Sequence, residues 1–282
     1  MKWMYNDQIV EDKELKIPVS DHGFLYGVGL FETFRVYNGV PFLFKEHMDR
    51  LQAGLHLIGI KHFIDHKTMN NQLRILLEQN SINNAYVRLT ITGGEGQLGL
   101  PTKEYTNPSI LWQLKPLEPL VEEADSKGGI ILKTHRNQPE TSVRLKSLNF
   151  LNNVLAKQEI MGINNVEGFF LTKEGYLAEG IVSNLFFVVG GVLYTPALET
   201  GILNGITRQF VLQLSNKNNI QVIEGFFSPD MLFMAEEVFV TNSIQEIVKI
   251  NAINNIEISL KEQGLTDCLI KAYKAAIKIA CF

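Results

Sequence analysis

Apolar and polar positions change their period several times along this chain, and each change marks an element. Lys2–Tyr5 and Gln8–Val10 flank an Asn6-Asp7 pair, which predicts a hairpin. After the glycine-dotted stretch SDHGFLYGVG, residues Leu30–Tyr37 and Val40–Phe44 flank Asn38-Gly39, a second two-residue hairpin signal. Met48, Leu51, Leu55 and Ile58 then recur at helical spacing and predict a helix over Lys45–Leu57; Met69, Leu73 and Leu76 mark another. Ala85, Val87, Leu89 and Ile91 alternate with Tyr86, Arg88, Thr90 and Thr92, the period of a half-buried strand, and Ser109–Leu114 reads as one more.

The stretch KPLEPLVEEADSKGG is rich in proline and charge and divides the chain into an N-terminal domain, 1–115, a linker, 116–129, and a C-terminal domain, 130–282. Beyond it, Ile130–Thr134 is an expected strand, and Leu148, Leu151 and Leu155 give a helical face ending near Gly162. Short strands are expected at Gly168–Leu171, Leu185–Val189 and Val192–Tyr194, the last two joined by Gly190-Gly191. Helices are expected to start near Ile206 and after Ser228-Pro229-Asp230, and an amphipathic helix carries Leu265, Leu269, Ala276 and Ala280. Strands and helices mix without regular alternation, so the expected class is α+β rather than a doubly wound sheet.

Composition narrows the function classes. With 45% hydrophobic and 20% charged residues the chain reads as a globular enzyme. A formal net charge of −4 argues against a nucleic-acid binder. No uncharged apolar run approaches the ~20 residues of a membrane helix, and MKWMYNDQIV lacks the apolar core of a secretion signal. Cys268 and Cys281, expected on one helix, would lie ~20 Å apart along it, beyond disulfide reach. A reduced, cytoplasmic protein without membrane or nucleic-acid partners is the expectation.

Two motifs tempt and fail. Gly94, Gly96 and Gly99 match G-x-G-x-x-G, but Leu100-Pro101 follows at once where a dinucleotide fingerprint must open a helix, so a loop is expected. His62 and His66 stand four apart, yet Phe63 follows His62 and no third ligand is evident; two exposed histidines and no metal are expected.

Five ordered blocks carry a more specific signal: SDHGFLYGVGLFETFRVYNGVPFLFKEHMDRL, RLKSLNFLNNVLAKQE, EGFFLTKEGYLAEGIVSNLF, TGILNGITR and FVTNSIQEI. In these the chain, from about residue 2 to 250, resembles the fold-type IV pyridoxal-phosphate family, which includes branched-chain aminotransferases, D-amino-acid aminotransferases and 4-amino-4-deoxychorismate lyases. The resemblance implies a two-domain fold, with a smaller N-terminal α/β sandwich and a larger C-terminal pseudo-barrel, working as a homodimer on a small-molecule substrate. It implies that Lys146, one of nineteen lysines, holds pyridoxal 5'-phosphate as a Schiff base and later moves protons. Glu179 would pair with the pyridine nitrogen so that the ring draws electrons. Arg50, the N–H of Ile206, Thr207 and Ser243 would bind the phosphate, with Thr241 and Asn242 as neighbours. An Asn204-Gly205 pair before a helix independently suits an anion.

Among the family's reactions, the resemblance favours the lyase. D-amino-acid aminotransferases carry an Arg and a His one residue apart in the loop where this chain has TGGEGQLGL, and branched-chain aminotransferases carry Gly where this chain has Thr33. The lyases resemble this chain there, with a threonine hydroxyl facing the reacting centre. Lys146 and Thr33 are therefore the expected catalytic residues, and Arg88 or Arg35 the expected binders of substrate carboxylates. Residues 93–100 are the expected contribution to a neighbouring subunit. A branched-chain or D-amino-acid aminotransferase is the alternative.

Overall fold

The computed structural model describes residues 1–118, 126–258 and 263–281. It divides into two compact units. The first is Met1–Pro119 with Leu145–Asn149 and Ile279–Phe282; the second is Leu120–Arg144 with Phe150–Lys278.

The first unit is a six-stranded sheet backed by two helices. Its strands are β1 (Lys2–Tyr5), β2 (Gln8–Glu11), β3 (Gly29–Tyr37), β4 (Val40–Pro41), β5 (Ala85–Thr92) and β6 (Ser109–Pro116), in the order β2-β1-β6-β5-β3-β4. A short helix α1 (His22–Tyr26) precedes β3, and α2 (Phe44–Leu57) and α3 (His66–Asn80) connect β4 to β5. Asn6 and Asp7 have φ of 46° and 66°, the left-handed pair a tight hairpin turn requires. On one face of β3 and β5, Leu30, Phe34, Val36, Ala85, Val87, Leu89 and Ile91 join Met48, Leu51 and Leu55 of α2 and Met69, Leu73 and Leu76 of α3 in one core. Strand alternation puts Glu32 on this covered face and turns Phe31, Thr33, Arg35, Tyr86 and Arg88 to the other.

The second unit is a nine-stranded sheet. Its strands are β7 (Lys127–Ile131), β8 (Val166–Leu171), β9 (Leu177–Gly180), β10 (Asn184–Val189), β11 (Val192–Pro196), β12 (Val222–Gly225), β13 (Glu237–Asn242), β14 (Glu246–Ile253) and β15 (Ile256–Glu257). They run β12-β11-β10-β13-β14-β7-β8-β9, with β15 on β14. The sheet curls strongly, so that β9 at one end of the order comes back beside β10 and β11. The helices are α4 (Leu151–Glu159), α5 (Ile206–Lys217), α6 (Asp230–Phe233) and α7 (Leu265–Cys281). Glu237 of β13 accepts from the N–H groups of Leu265 and Thr266 at 2.9 and 2.8 Å, satisfying donors at the start of α7. The α+β class read from the sequence pattern, and the two-domain fold-type IV architecture that the family resemblance implies, are thus present.

Several details differ from the sequence expectation. Val40–Phe44 is strand only to Pro41: Leu43 takes φ 53° and Phe44 opens α2. The expected linker 116–129 has strand at both ends, Pro116 in β6 and Lys127–Gly129 in β7, while 119–125 lie outside the described residues. Leu148 precedes α4, and Leu151 and Leu155 are exposed; the buried side of that helix is Asn153 and Ala156. No helix follows Gly99, in keeping with the loop expected there. His62 and His66 are half-buried rather than exposed, and only His66 is helical, paired with Asp49 at 3.2 Å. Cys268 and Cys281 are both free on α7, as expected. Among the described residues no helix is long and apolar enough to cross a membrane.

Candidate active site

In the first unit, Lys146 is presented by a segment that pairs onto β3. The N–H of Phe31 donates to the Lys146 carbonyl at 2.9 Å, the N–H of Leu148 donates to Gly29 at 3.0 Å, and Leu30 bridges Ser147. Gly29 permits this approach, since a Cβ there would stand 2.8 Å from Leu148 Cδ1 and 2.9 Å from the Ile91 carbonyl. The Lys146 ammonium lies 4.5 Å from the centre of the Phe31 ring, and the Arg88 guanidinium lies 3.7 Å from the same ring. Thr33 faces Arg88 directly across the β3–β5 pairing. Arg88 donates from Nε to Thr90 Oγ1 at 3.3 Å. Burial lowers its pKa, with Tyr86 pulling the other way. No carboxylate among the described residues forms an ion pair with it. Arg35 is differently placed: it is buried, donates to the Glu118 carbonyl at 2.6 Å and lies over Tyr37.

On the covered side of β3, Arg50 of α2 grips Glu32 with two bonds of 2.7 Å, from Nε to Oε1 and from Nη2 to Oε2. His47, one turn earlier, contacts Glu32 Oε2 through Nδ1 at 2.6 Å. Burial alone would raise the Glu32 carboxyl, but Arg50 and His47 outweigh it and bring it to about 2. Burial lowers the His47 pKa against the pull of Glu32, which favours the neutral ring. An ionised carboxylate only accepts, so the proton of that neutral ring sits on Nδ1.

In the second unit, Glu179 is buried on β9. Arg136 donates to its Oε1 at 2.8 Å, and the N–H of Leu203 to its Oε2 at 3.0 Å, with Asn184 Nδ2 at 3.4 Å. Arg136 is itself held by Asn152 Oδ1 at 2.7 Å and lies over Phe170. Burial pushes the Glu179 carboxyl up, while Arg136, the Leu203 N–H and Arg144 pull it down. In its ionised form this carboxylate would favour a protonated nitrogen placed against it.

Beside it, α5 begins at Ile206 after Gly205, with no side-chain cap and no acid in its first turn. Thr207 Oγ1 and Ser243 Oγ lie 3.4 Å apart. Thr241 Oγ1 is buried without a hydrogen-bond partner among the described residues. An uncapped helix start, a hydroxyl pair and a buried hydroxyl still lacking a partner suit a phosphate. These residues therefore fit pyridoxal phosphate.

The structure thus places Lys146, Thr33 and Arg88 around Phe31, Arg50 on Glu32, and Glu179, Ile206, Thr207 and Ser243 within the second unit. Sequence reasoning missed Glu32, His47, Phe31, Arg136 and Asn184. Glu32 alone left a trace, as an acid in phase with Leu30, Phe34 and Val36.

Comparison with known proteins agrees with this chemistry. The family described as amino-transferase class IV matches residues 29–253. The aminodeoxychorismate lyase of Bacillus subtilis is 39% identical over 279 residues, covering 97% of this chain and 94% of its own. A putative branched-chain-amino-acid aminotransferase of Methanocaldococcus jannaschii is 37% identical over 265 residues, covering 94% and 92%. The solved branched-chain aminotransferase of Thermoproteus uzoniensis aligns with a TM-score of 0.89 at 25% identity, over 98% of this chain and 94% of that one. The match spans both sheets and nearly the full length of each relative. The chain belongs to the amino-transferase class IV family, the fold-type IV enzymes that use pyridoxal phosphate.

Proposed function

We propose that the protein is a 4-amino-4-deoxychorismate lyase, releasing pyruvate to give p-aminobenzoate for folate synthesis. The observation that carries this reading is the strand face of Phe31, Thr33 and Arg88: the Lys146 amine and the Arg88 guanidinium both lie against the Phe31 ring, and Thr33 stands opposite Arg88. The similarity to the Bacillus subtilis lyase supports it.

Pyridoxal phosphate, when bound, supplies an electron sink for the carbon that loses its proton. Glu179, kept oriented by Arg136 and the Leu203 N–H, would hold the proton on the pyridine nitrogen, and Arg50, the Ile206 N–H, Thr207 and Ser243 would bind the phosphate. Lys146 removes the proton from the substrate's ring C4; a base so placed typically contributes ~10²–10⁴-fold. Arg88 receives a substrate carboxylate, and Lys146 or the Thr33 hydroxyl returns a proton as the pyruvate carbon–oxygen bond breaks. Aromatisation of the ring makes this step irreversible. Arg35, committed to the Glu118 carbonyl, is the weaker carboxylate binder.

A homodimer in a reduced cytoplasm accompanies this reading. Leu98 and Leu100 of the 93–100 loop, 86% and 82% exposed, suit burial against a second copy. The similarity to the Methanocaldococcus jannaschii protein favours a second reading, a branched-chain aminotransferase.

One experiment separates the two readings. Purified protein is given freshly generated aminodeoxychorismate, with p-aminobenzoate and pyruvate assayed; in parallel it is offered branched-chain and D-amino acids with 2-oxoglutarate. Equimolar p-aminobenzoate and pyruvate are expected. Transamination without p-aminobenzoate would sink the lyase reading.

A further inference from the structure

Buried charges are costly unless they are paired and hydrogen-bonded, so the Glu32 carboxylate, 1% exposed in the covered face of β3, calls for a reason. The apolar alternative is on the same strand: Leu30, Phe34 and Val36 fill the equivalent positions around it. What Glu32 does there is visible in its bonds. Both of its oxygens engage one edge of the Arg50 guanidinium, fixing the plane of a group that ends a long, flexible stem. His47 fixes the carboxylate in turn, because its Nδ1–H donates to the oxygen that also receives Arg50 Nη2. The neighbouring acid, Asp49, does not compete for Arg50, being bonded to Lys45 at 2.5 Å and facing His66 at 3.2 Å. Arg50 is the outermost member, 19% exposed against 1% for both His47 and Glu32. The order of burial therefore runs from an inner imidazole and carboxylate to an outer cation that can meet a ligand.

We propose that Glu32 and His47 are positioning residues that hold Arg50 ready for the cofactor phosphate, and so make the protein prefer phosphorylated pyridoxal over pyridoxal itself. This rests on the reading of Arg50 as a phosphate ligand. Ordering a guanidinium before the ligand arrives removes a cost that binding would otherwise carry. A charge argument alone predicts the opposite: the Glu32 carboxylate offsets the Arg50 cation, so its loss would tighten the grip on a phosphate.

The test compares equilibrium dialysis of pyridoxal phosphate and of pyridoxal against the full chain depleted of cofactor. The quantity read is the ratio of the two dissociation constants. In Glu32→Gln the amide places a donor against either Arg50 or His47, and the preference for the phosphorylated form is expected to fall about tenfold, the scale of one charge-assisted hydrogen bond. His47→Leu removes the inner donor and is expected to reduce the preference about three- to tenfold, whereas His47→Asn, which restores an N–H toward Glu32, retains it within about twofold.

Equal weakening of both ligands would make the cluster merely structural, and tighter binding of pyridoxal phosphate would make Glu32 a charge brake; either overturns the proposal. Arg50→Met run in parallel separates the two levels. An unchanged ratio in Arg50→Met removes the phosphate-ligand reading itself. A collapsed ratio there, with Glu32→Gln and His47→Leu unaltered, leaves Arg50 in its role and refutes the positioning. If Glu32→Gln does not fold, the His47→Leu and His47→Asn pair decides alone.

Discussion

Gly205 offers a sharp test of how the second unit holds the uncapped start of α5, the proposed phosphate site. Its φ of −63° and ψ of 138° are ordinary for any L-residue, so replacing it with Ala meets no backbone penalty. The obstacle is Asn184, whose Oδ1 would lie 2.1 Å from the new Cβ. Asn184 is buried and donates from Nδ2 to the Leu203 carbonyl at 2.8 Å, with Glu179 at 3.4 Å. It must move by about 1 Å to restore ordinary contact, which gives up a hydrogen bond of about 1 kcal/mol and adds overpacking of about 1–3 kcal/mol. The loss of glycine entropy in the unfolded chain returns about 0.4–1 kcal/mol. A net destabilisation of about 2 kcal/mol follows, read as a fall of about 4–8 °C in Tm. Cofactor affinity is expected to drop about tenfold, because Leu203 and Glu179 lose their common anchor. The assay is thermal unfolding and cofactor dialysis of Gly205→Ala, Asn184→Ala and the double variant. With the clashing amide gone, the double variant should be no worse than Asn184→Ala. Strict additivity of the two single effects would refute the reasoning, since no contact would then link the positions.

Glu32 predicts a specific acid sensitivity. Its carboxyl lies at about 2 when folded against an ordinary 4.5, so the stabilisation, about 3 kcal/mol at ~1.4 kcal/mol per tenfold, is complete above pH 4.5 and lost as pH falls toward 2. His47, lowered by burial, adds a loss of the same sign below its ordinary 6.5. Urea melts from pH 7 to pH 3 should show this slope in the native protein and a shallower one in Glu32→Gln. Glu179→Gln is expected to lower kcat about 10²–10³-fold, the cost of losing one well-placed electrostatic partner, which steady-state kinetics reads directly. On the proposed lyase reading, Arg88→Met should raise KM for aminodeoxychorismate about tenfold or more while sparing cofactor affinity; an unchanged KM would move the carboxylate site elsewhere.

Much of the first unit was legible because one side of its sheet is lined by regularly spaced apolar residues. Ala85–Ile91 alternates, α2 and α3 keep a helical period, and Asn6-Asp7 and Asn38-Gly39 mark their turns. The second unit hides its strands. In β10 and β13 nearly every residue is buried, so the pattern is a plain apolar run, and β9 is four buried residues in which Glu179 looks like a turn acid. The residues proposed to bind the cofactor stand out through ordered blocks rather than through period. Arg136 sits in no regular element, and its bond to Glu179 spans 43 positions, a relation that no local pattern encodes. The α4 face misled for a related reason: leucine marks an apolar surface, and here Leu151 and Leu155 are exposed in the single chain.

The two faces of β3 have a consequence for how this chain tolerates change. Glu32 and Thr33 are adjacent in sequence yet serve opposite sides, one clamping Arg50 and the other facing Arg88. Deleting a single residue ahead of them would exchange their sides, leaving an unpaired acid on the face that carries Arg88 and a hydroxyl under Arg50. Eight consecutive pairings with β5, from Gly29 opposite Thr92 to Val36 opposite Ala85, guard against such a slip. Variation in length is thereby directed to the turns at either end, and the strand behaves as a ruler whose graduations the chemistry reads on both edges.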